Sequence, residues 1–250
     1  MKIQCVWEHN GDDTLLYAVN AIGAFARGAS KEEALQKMPR EVAAWSAWAG
    51  RNAAPPFAIE IIQEKPSALN IRDADSDVLF DTEKTALTLS EYESLKALAM
   101  KSAQDFLALY EAFPDKNRSV LPPRETFYGA VPRTAEEMYQ HTRNVNDYYW
   151  SEIGVDAGNE GTIAESRARG FSLLEKQEGF LKNRVFDGSF GEQWTLSKVI
   201  RRFLWHDRIH ARAMYRMGVR TFGAGQVPNV FRFDVDSAAI NSHDPSLPGP

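Results

Sequence analysis

Residues 192–217 read EQWTLSKVIRRFLWHDRIHARAMYRM, and this stretch decides the fold of the chain. With a rotation of about 100° per residue, it predicts an amphipathic helix that begins at Thr195 and ends near Gly218. The apolar positions of this helix fall within one arc of about 80°. It contains Leu196, Val199, Phe203, His206, His210, Met214 and Met217. The two histidines therefore lie within the stripe that faces a hydrophobic core.

The opposite arc of this helix is basic. It carries Lys198, Arg201, Arg202, Arg208, Arg212, Arg216 and Arg220. This many cations on one side indicate a solvated face, and the alternative is that the arginines bind an anionic substrate or a phosphate. Trp205 and Ile209 lie among them, and a mixture of aromatic, aliphatic and basic side chains is typical of an interface. We expect Trp205 and Ile209 to pack on the N-terminal part of the chain or on a second subunit.

Three more helices precede this one. Ser90 can cap a helix that runs to about Phe113, and Thr134 with Glu137 forms a capping box for a helix to about Ile153. A further helix is predicted from Thr162 to Asn183. Four helices of such length predict an antiparallel four-helix bundle over residues 88–222. Residues 223–250 are rich in Pro, Gly and Asn and predict an irregular C-terminal tail.

The first 68 residues have a different character. Residues 2–7 and 14–19 predict two strands joined by a turn at 10–13, and residues 21–28 and 57–63 predict two more strands. Ser30 and Glu33 form a capping box for a helix through about Trp48, in which Pro39 predicts a kink or a break. The predicted fold class is thus a small α+β module, βββαβ in order, followed by an all-α four-helix bundle.

Residues 69–87 are polar and predict a linker or a bridging strand. Asp73, Asp75 and Asp77 resemble the start of a calcium-binding loop. The sixth position is Val78 instead of Gly and the twelfth is Lys84 instead of Glu, so no calcium site is expected.

Composition narrows the functional class. The chain of 250 residues carries 29 basic and 34 acidic residues, a net charge of −5, which disfavours nucleic-acid binding. The single cysteine, Cys5, excludes an internal disulfide and a cysteine-rich metal site. There is no apolar run long enough to span a membrane and no signal-peptide pattern, so a cytoplasmic protein is expected. Neither a nucleophile elbow, a phosphate-binding glycine loop nor a dinucleotide fingerprint is present, so no organic cofactor site is expected.

Five histidines remain as metal ligands. His141 repeats the pattern of His206 and His210, because it lies on the apolar stripe of the second helix among Met138, Val145, Tyr148 and Tyr149. His9 and His243 lie outside the predicted bundle. The three inward histidines are either core residues, hydrogen-bonded to Tyr148, Tyr149 or the backbone, or the ligands of a divalent metal with an open fourth position. Helix geometry alone leaves both interpretations open.

Two segments carry a resemblance that bears on this choice. TAEEMYQHTRNVNDYYW (134–150) and EQWTLSKVIRRFLWHDRIHARAMYRM (192–217) resemble the DinB/YfiT family, whose members are regarded as metalloenzymes. The family has one histidine in its second helix and H-x3-H in its fourth. The resemblance thus implies His141, His206 and His210 as ligands of zinc, nickel or iron. It also implies a four-helix bundle, often homodimeric, and for some members a thiol cofactor.

The N-terminal stretch GASKEEALQKMPREVAAW (28–45) resembles the HicB-like module of toxin–antitoxin systems. A glycine and a Ser/Thr-x-Glu-Glu-Ala cap precede the helix in the same way in that family. This resemblance is the only feature that points to nucleic-acid regulation. The alternative is that the N-terminal part is a small α+β docking module.

These observations yield two functional hypotheses. The first is a metal-dependent hydrolase or thiol-dependent transferase that acts on a small molecule. Glu137 and Asp207 are its candidates for orienting a ligand imidazole or carrying a proton. Glu137 can instead serve only its capping box, and Asp207 can simply pair with an arginine. The second hypothesis is a non-catalytic protein that binds a partner through the N-terminal module and whose metal is structural.

Overall fold

The computed structural model describes residues 1–53 and 56–234, and within them the chain is a mixed α+β protein with one four-stranded sheet and five α-helices. The elements of the N-terminal part are β1 (Lys2–Asn10), β2 (Asp13–Ala18), β3 (Phe25–Gly28), α1 (Lys31–Trp48) and β4 (Ala58–Pro66). The later helices are α2 (Leu89–Glu111), α3 (Ala135–Ser151), α4 (Ile163–Leu174) and α5 (Leu196–Phe222). Two short hairpins join them, β5 (Glu125–Thr126) with β6 (Gly129–Ala130) and β7 (Phe186–Asp187) with β8 (Gln193–Trp194).

The sheet has the strand order β3-β2-β1-β4, with β1 antiparallel to β2 and parallel to β4. The βββαβ order predicted from the sequence is confirmed. The third strand is shorter than the predicted stretch 21–28, because Gly23 forms a turn with φ of 89°. A Cβ atom at Gly23 would lie 2.6 Å from Cβ of Leu204, so this turn also lets the sheet approach α5 closely.

Helix α1 is capped as predicted, with Ser30 Oγ accepting a hydrogen bond from the backbone N–H of Glu33. The break predicted at Pro39 is wrong, since the helix is continuous from Lys31 to Trp48. Packing explains this continuity: Met38 and Val42 beside the proline are buried and hold the helix on β2 and β3.

The four later helices pack on one another. Helices α4 and α5 each contact both α2 and α3. Thr88, not Ser90, caps α2, and its capping box with Glu91 is complete. The helix predicted from Thr162 to Asn183 ends at Leu174. It could not have continued to Asn183, because Gly179 (φ 72°) and Asn183 (φ 50°) adopt left-handed conformations that a right-handed helix does not accommodate.

Helix α5 lies between the sheet and the other helices. Its Trp205 is 2% exposed and contacts Tyr17 and Phe25 edge-on, at centroid distances of 5.8 and 6.2 Å. The predicted packing of Trp205 and Ile209 on the N-terminal part of the chain is therefore confirmed. Residues 69–87, expected to be a linker, contribute the buried side chains of Val78 and Phe80 to the same cluster.

The expected solvated face of α5 is wrong for most of its cations. Lys198, Arg201, Arg202 and Arg208 are at most 6% exposed. Each pairs with a carboxylate: Lys198 and Arg202 with Glu192, Arg201 with Glu83, and Arg208 and Arg212 with Glu41. The helical wheel could not reveal this, because the sheet that covers this face comes from a distant part of the chain, as do Glu41 and Glu83, while Glu192 precedes the helix.

Residues 223–234 contain no helix or strand and cover the protein surface. Phe231 is buried and stacks on Trp48 at a centroid distance of 5.4 Å. The rest of the predicted tail, including His243, lies outside the described residues. Among the described helices, none combines the length and the hydrophobicity that crossing a membrane requires.

Candidate metal centre

Two of the three predicted ligands lie on consecutive turns of α5. His206 and His210 are 9% and 6% exposed, and their Nε2 atoms lie 3.2 Å apart. The hydroxyl of Thr195 caps this helix through the N–H of Lys198, which fixes the register that turns both histidines inward. Residues four apart on a helix face the same side, so the pair is preorganised by local geometry.

The third predicted ligand comes from α3. Nε2 of His141 lies 3.2 Å from Nε2 of His206, and the ligating nitrogens of all three histidines lie within 4.8 Å of one another. The imidazole of His141 is solvent-exposed, in contrast to the other two. Its exposure means that the cluster opens to solvent on the side of α3.

These spacings match a metal site. Zinc–imidazole bonds of about 2.0–2.1 Å at tetrahedral angles place two ligating nitrogens about 3.3 Å apart. The two Nε2–Nε2 distances of 3.2 Å agree with that value. Three histidines on one side of such an ion leave the fourth position to a water or a substrate atom.

Burial determines the charge of the cluster. It lowers the pKa of His141, and it lowers the pKa values of His206 and His210 well below the ordinary value, with their neighbouring imidazoles acting in the same direction. The imidazoles are consequently neutral at pH 7, the form that binds a metal.

If the histidines were core residues hydrogen-bonded to tyrosine or the backbone, their Nδ1 atoms would need hydrogen-bond partners. The Nδ1 atoms of His206 and His210 are buried and have no hydrogen-bond partner among residues 1–53 and 56–234. Tyr149 contacts His206 edge-on at a centroid distance of 6.1 Å, which is ring packing and not a hydrogen bond. The hydrogen bonds to tyrosine or backbone that this interpretation requires at Nδ1 are therefore not formed.

The two candidate carboxylates, Glu137 and Asp207, form hydrogen bonds with groups outside the histidine cluster. Glu137 accepts hydrogen bonds from the backbone N–H groups of Arg133 and Thr134, which is its capping role. Asp207 is fully buried and accepts hydrogen bonds from Arg167 and from the hydroxyl of Ser102. In this arrangement both carboxylates stabilise helices, and a role in proton transfer stays a prediction.

The other histidine that the structure describes, His9, is separate from the cluster. Its ring stacks on Trp7 at 4.1 Å, and its Nε2 lies 3.2 Å from Glu64 Oε1. Its position agrees with the sequence-based exclusion of His9, whereas His243 lies outside the described residues.

Sequence reasoning did not place two arginines beside the cluster. Arg202 lies one helical turn before His206, and Arg27 comes from β3. The charge of Arg202 lowers the pKa of His206, and the charge of Arg27 lowers that of His210. For Arg202, the spacing of four residues was a usable signal. Arg27 approaches through tertiary packing and carries no local signal.

The comparisons with known proteins give no match: no family model matches the chain, and neither a curated protein nor a solved structure matches it. The chemistry of the site is therefore argued from the side chains alone. Three neutral imidazoles that converge beside an opening suit a borderline divalent ion such as zinc, nickel or iron.

Proposed function

We propose that this chain is a divalent-metal protein in which His141, His206 and His210 hold zinc, nickel or iron, and that it acts as a metal-dependent hydrolase or thiol-dependent transferase on a small molecule. The observation that carries the proposal is the convergence of three Nε2 atoms, at 3.2 Å for two of the pairs, beside an exposed imidazole. A bound ion of this kind lowers the pKa of a water or a thiol ligand.

The proposal includes a family type. The packing of α4 and α5 on both α2 and α3 supports a four-helix bundle of the DinB/YfiT type, and the βββαβ sheet with α1 supports a HicB-like module before it. Both assignments rest on the motifs around His141 and His206 and on residues 28–45. A cytoplasmic location and a homodimer belong to the same proposal.

The chain's own residues have distinct tasks in this scheme. The imidazoles of His206 and His210 hold the ion from one helix, and His141 closes the ligand set from α3. Tyr149 shields the buried side of His206 from water. The solvent-exposed side at His141 admits the substrate. This opening favours catalysis over the alternative of a structural metal, because a structural site is closed by a fourth protein ligand.

Metal analysis tests the proposal directly. Protein produced without an affinity tag in medium containing zinc, nickel and iron should carry about one metal ion per chain, whereas His206→Ala and His141→Ala should lose it. His9→Ala is the matched control, because His9 lies apart from the cluster, beside Glu64, and the variant should retain the wild-type metal content. Wild-type protein without stoichiometric metal would overturn the proposal.

A fourth ligand can be examined in the same material. The cobalt-substituted protein should show the visible spectrum of three nitrogen ligands and an exchangeable water, and azide should change it. A cobalt spectrum that does not respond to azide or to thiols would favour the second hypothesis, a structural metal in a protein that binds its partner through the N-terminal module.

A further inference from the structure

A cavity lies where the N-terminal sheet meets the later helices. Its volume is about 550 Å³, within the range of about 300–1,000 Å³ that is usual for small-molecule sites. Five parts of the chain line it: the turn between β2 and β3, the end of α1, the segment 80–87, the first half of α2 and the start of α5. The described residues that line it include no histidine.

Helix α5 presents different faces to this cavity and to the candidate metal centre. Ser197 and Arg201 line the cavity, and because they are four residues apart they share one face of the helix. Arg201 and His206 are five residues apart, which at about 100° per residue places them about 140° apart around the helix axis. The cavity is therefore a site that the proposed function does not use.

The cavity has an apolar buried side and a polar rim. Trp45 and Phe80 are each 2% exposed, and Leu98 is half-buried. The exposed lining residues are mainly polar, among them Thr82, Thr85, Ser90 and Ser94. A ligand with an apolar body would lose its contact with water on the buried side, which favours binding.

Arg201 brings an unpaired donor to the buried side of the cavity. Its side chain is 2% exposed, and its Nε and Nη2 both donate to the carboxylate of Glu83. Its Nη2 also donates to the carbonyl of Val78, whereas its Nη1 is buried and has no hydrogen-bond partner among the residues that the structure describes. A buried unpaired donor on a charged group is costly, so its place on a residue that lines a cavity indicates an acceptor supplied by a ligand.

Ser197 adds a second donor on the same face of α5. Its hydroxyl accepts a hydrogen bond from Nδ2 of Asn183, and its backbone N–H donates to Oδ1 of the same residue. A hydroxyl has one hydrogen to donate besides its acceptor lone pairs, so the bond from Asn183 does not use the Ser197 hydrogen. Two donors on one helix face suit a carbonyl oxygen, because that oxygen has two lone pairs.

The charges of the cavity cancel. The ionisable groups among its described lining residues are two cations, Arg51 and Arg201, and two carboxylates, Glu83 and Glu91. Arg201 and Glu83 form a buried ion pair with an Nε–Oε1 distance of 2.5 Å. An anion that entered would be buried without a surplus cation to compensate it, which is costly. The cavity therefore favours a neutral acceptor.

We propose that this cavity binds a small neutral molecule that has an apolar body and a carbonyl oxygen. The carbonyl oxygen accepts hydrogen bonds from Nη1 of Arg201 and from the hydroxyl of Ser197, and the apolar body packs on Trp45, Phe80 and Leu98. Binding makes and breaks no covalent bond. This site is separate from the histidine cluster, and the proposal does not rest on the proposed function.

Three fluorescent naphthalenes of similar shape test the nature of the ligand. Prodan is a neutral ketone, its propyl analogue has a methylene group in place of the carbonyl, and 6-dimethylamino-2-naphthoate has a carboxylate. Each is titrated into the full-length protein, and fluorescence anisotropy gives the stoichiometry and the dissociation constant. Prodan should bind saturably at one molecule per chain, and it should bind more tightly than the naphthoate because the cavity has no surplus positive charge.

Two tryptophan substitutions on α2 locate the binding site. Ser94 and Ala97 are both exposed, but Ser94 lines the cavity and Ala97 does not. Ser94→Trp should abolish saturable binding of prodan, because the indole occupies the rim of the cavity. Ala97→Trp is the matched control and should bind prodan as wild type does.

Variants of the two donors test the hydrogen bonds. Arg201→Met combined with Glu83→Leu removes the whole ion pair, which a protein tolerates better than the loss of one partner. In this double variant the preference for prodan over its propyl analogue should fall about tenfold or more, since a hydrogen bond to a charged group contributes about this factor. Ser197→Ala should reduce the same preference by a smaller factor, because its hydrogen bond is between neutral groups. Circular dichroism shows whether each variant is folded.

Several results would overturn the proposal. They are the absence of saturable prodan binding by wild type, unchanged binding by Ser94→Trp, and tighter binding of the naphthoate than of prodan. If the double variant does not fold, Ser197→Ala decides, and an unchanged preference for the ketone in that variant would overturn the assigned hydrogen bonds. Each of these results leaves the candidate metal centre untouched, because metal content is measured separately.

Discussion

Arg167 of α4 donates to both carboxylate oxygens of Asp207 of α5, at 2.6 and 3.0 Å, and each side chain is 1% exposed. The same guanidinium donates to Asn146 of α3 and to the carbonyl of Ala99 of α2. This ion pair therefore joins all four helices that surround the histidine cluster. Asp207 is adjacent in sequence to His206, so the pair also fixes the rotation of α5 at the site.

Removing one partner of this pair should strongly destabilise the folded protein. Asp207→Asn should lower the free energy of unfolding by about 3–5 kcal/mol, because it leaves the buried charge of Arg167 uncompensated. The double variant Arg167→Met with Asp207→Leu should lose less than the single variant. Urea denaturation followed by circular dichroism measures both. Asp234→Asn, which breaks an exposed pair with Arg40, should cost less than about 1 kcal/mol. Equal stability of Asp207→Asn and wild type would contradict the inferred role of the pair.

Trp205 should couple the sheet to the helices. Its truncation to Ala should cost about 3–5 kcal/mol, because it leaves a cavity against Tyr17 and Phe25. Phe190→Ala is the matched control, since that ring is 96% exposed and its loss should change stability by about 0.5 kcal/mol or less. Calorimetry should show one transition for wild type. A Trp205→Ala protein with unchanged stability would show that the sheet and α5 do not stabilise each other.

The single cysteine should report on unfolding of the sheet. Cys5 is fully buried on β1, and burial raises the pKa of its thiol to about 12. Native protein should resist iodoacetamide at pH 8, whereas protein in urea should react at the rate of a free thiol. Cys5→Ser abolishes labelling and serves as the blank. Rapid labelling of native protein at pH 8 would contradict the burial of this strand.

The raised pKa of the Cys5 thiol also determines how the stability of the protein changes with pH. Above pH 9 the unfolded chain loses the thiol proton and the native chain retains it, so the native state binds more protons and stability falls as pH rises toward 12. The slope contributed by this group is about 1.4 kcal/mol per pH unit. Cys5→Ala should remove that slope, which urea denaturation at pH 9 and pH 10 would detect. An unchanged slope in the variant would assign the effect to other groups.

Metal removal should separate the roles of the three ligands. Zinc at about one hundred times its dissociation constant should stabilise the folded protein by about 2.7 kcal/mol, and EDTA should reverse this. His141→Ala should abolish the zinc effect but leave the stability of the metal-free protein close to wild type, because the His141 side chain is exposed. A zinc effect that persists in this variant would exclude His141 as a ligand.

Sequence periodicity was sufficient for the local parts of this molecule. The apolar stripe of α5 predicted the inward histidines, and the structure confirms the helix starts predicted at Thr134, from its capping box, and at Thr162. Periodicity failed where tertiary contacts decide. A kink or a break was expected at Pro39, whereas packing on the sheet keeps α1 continuous. Arg208 was expected on a solvated face, whereas it pairs with Glu41, which is 167 residues away in the sequence.

The division of the ligand set between two helices has a mechanical consequence. The distance between His206 and His210 is set by the pitch of a single helix, whereas the distance from either to His141 is set by how α5 is seated against α3. Because Trp205 ties α5 to the sheet, a tilt of the sheet is transmitted to two of the three nitrogens at once. The distances that would hold an ion between His141 and the two histidines of α5 therefore depend on the position of the N-terminal sheet.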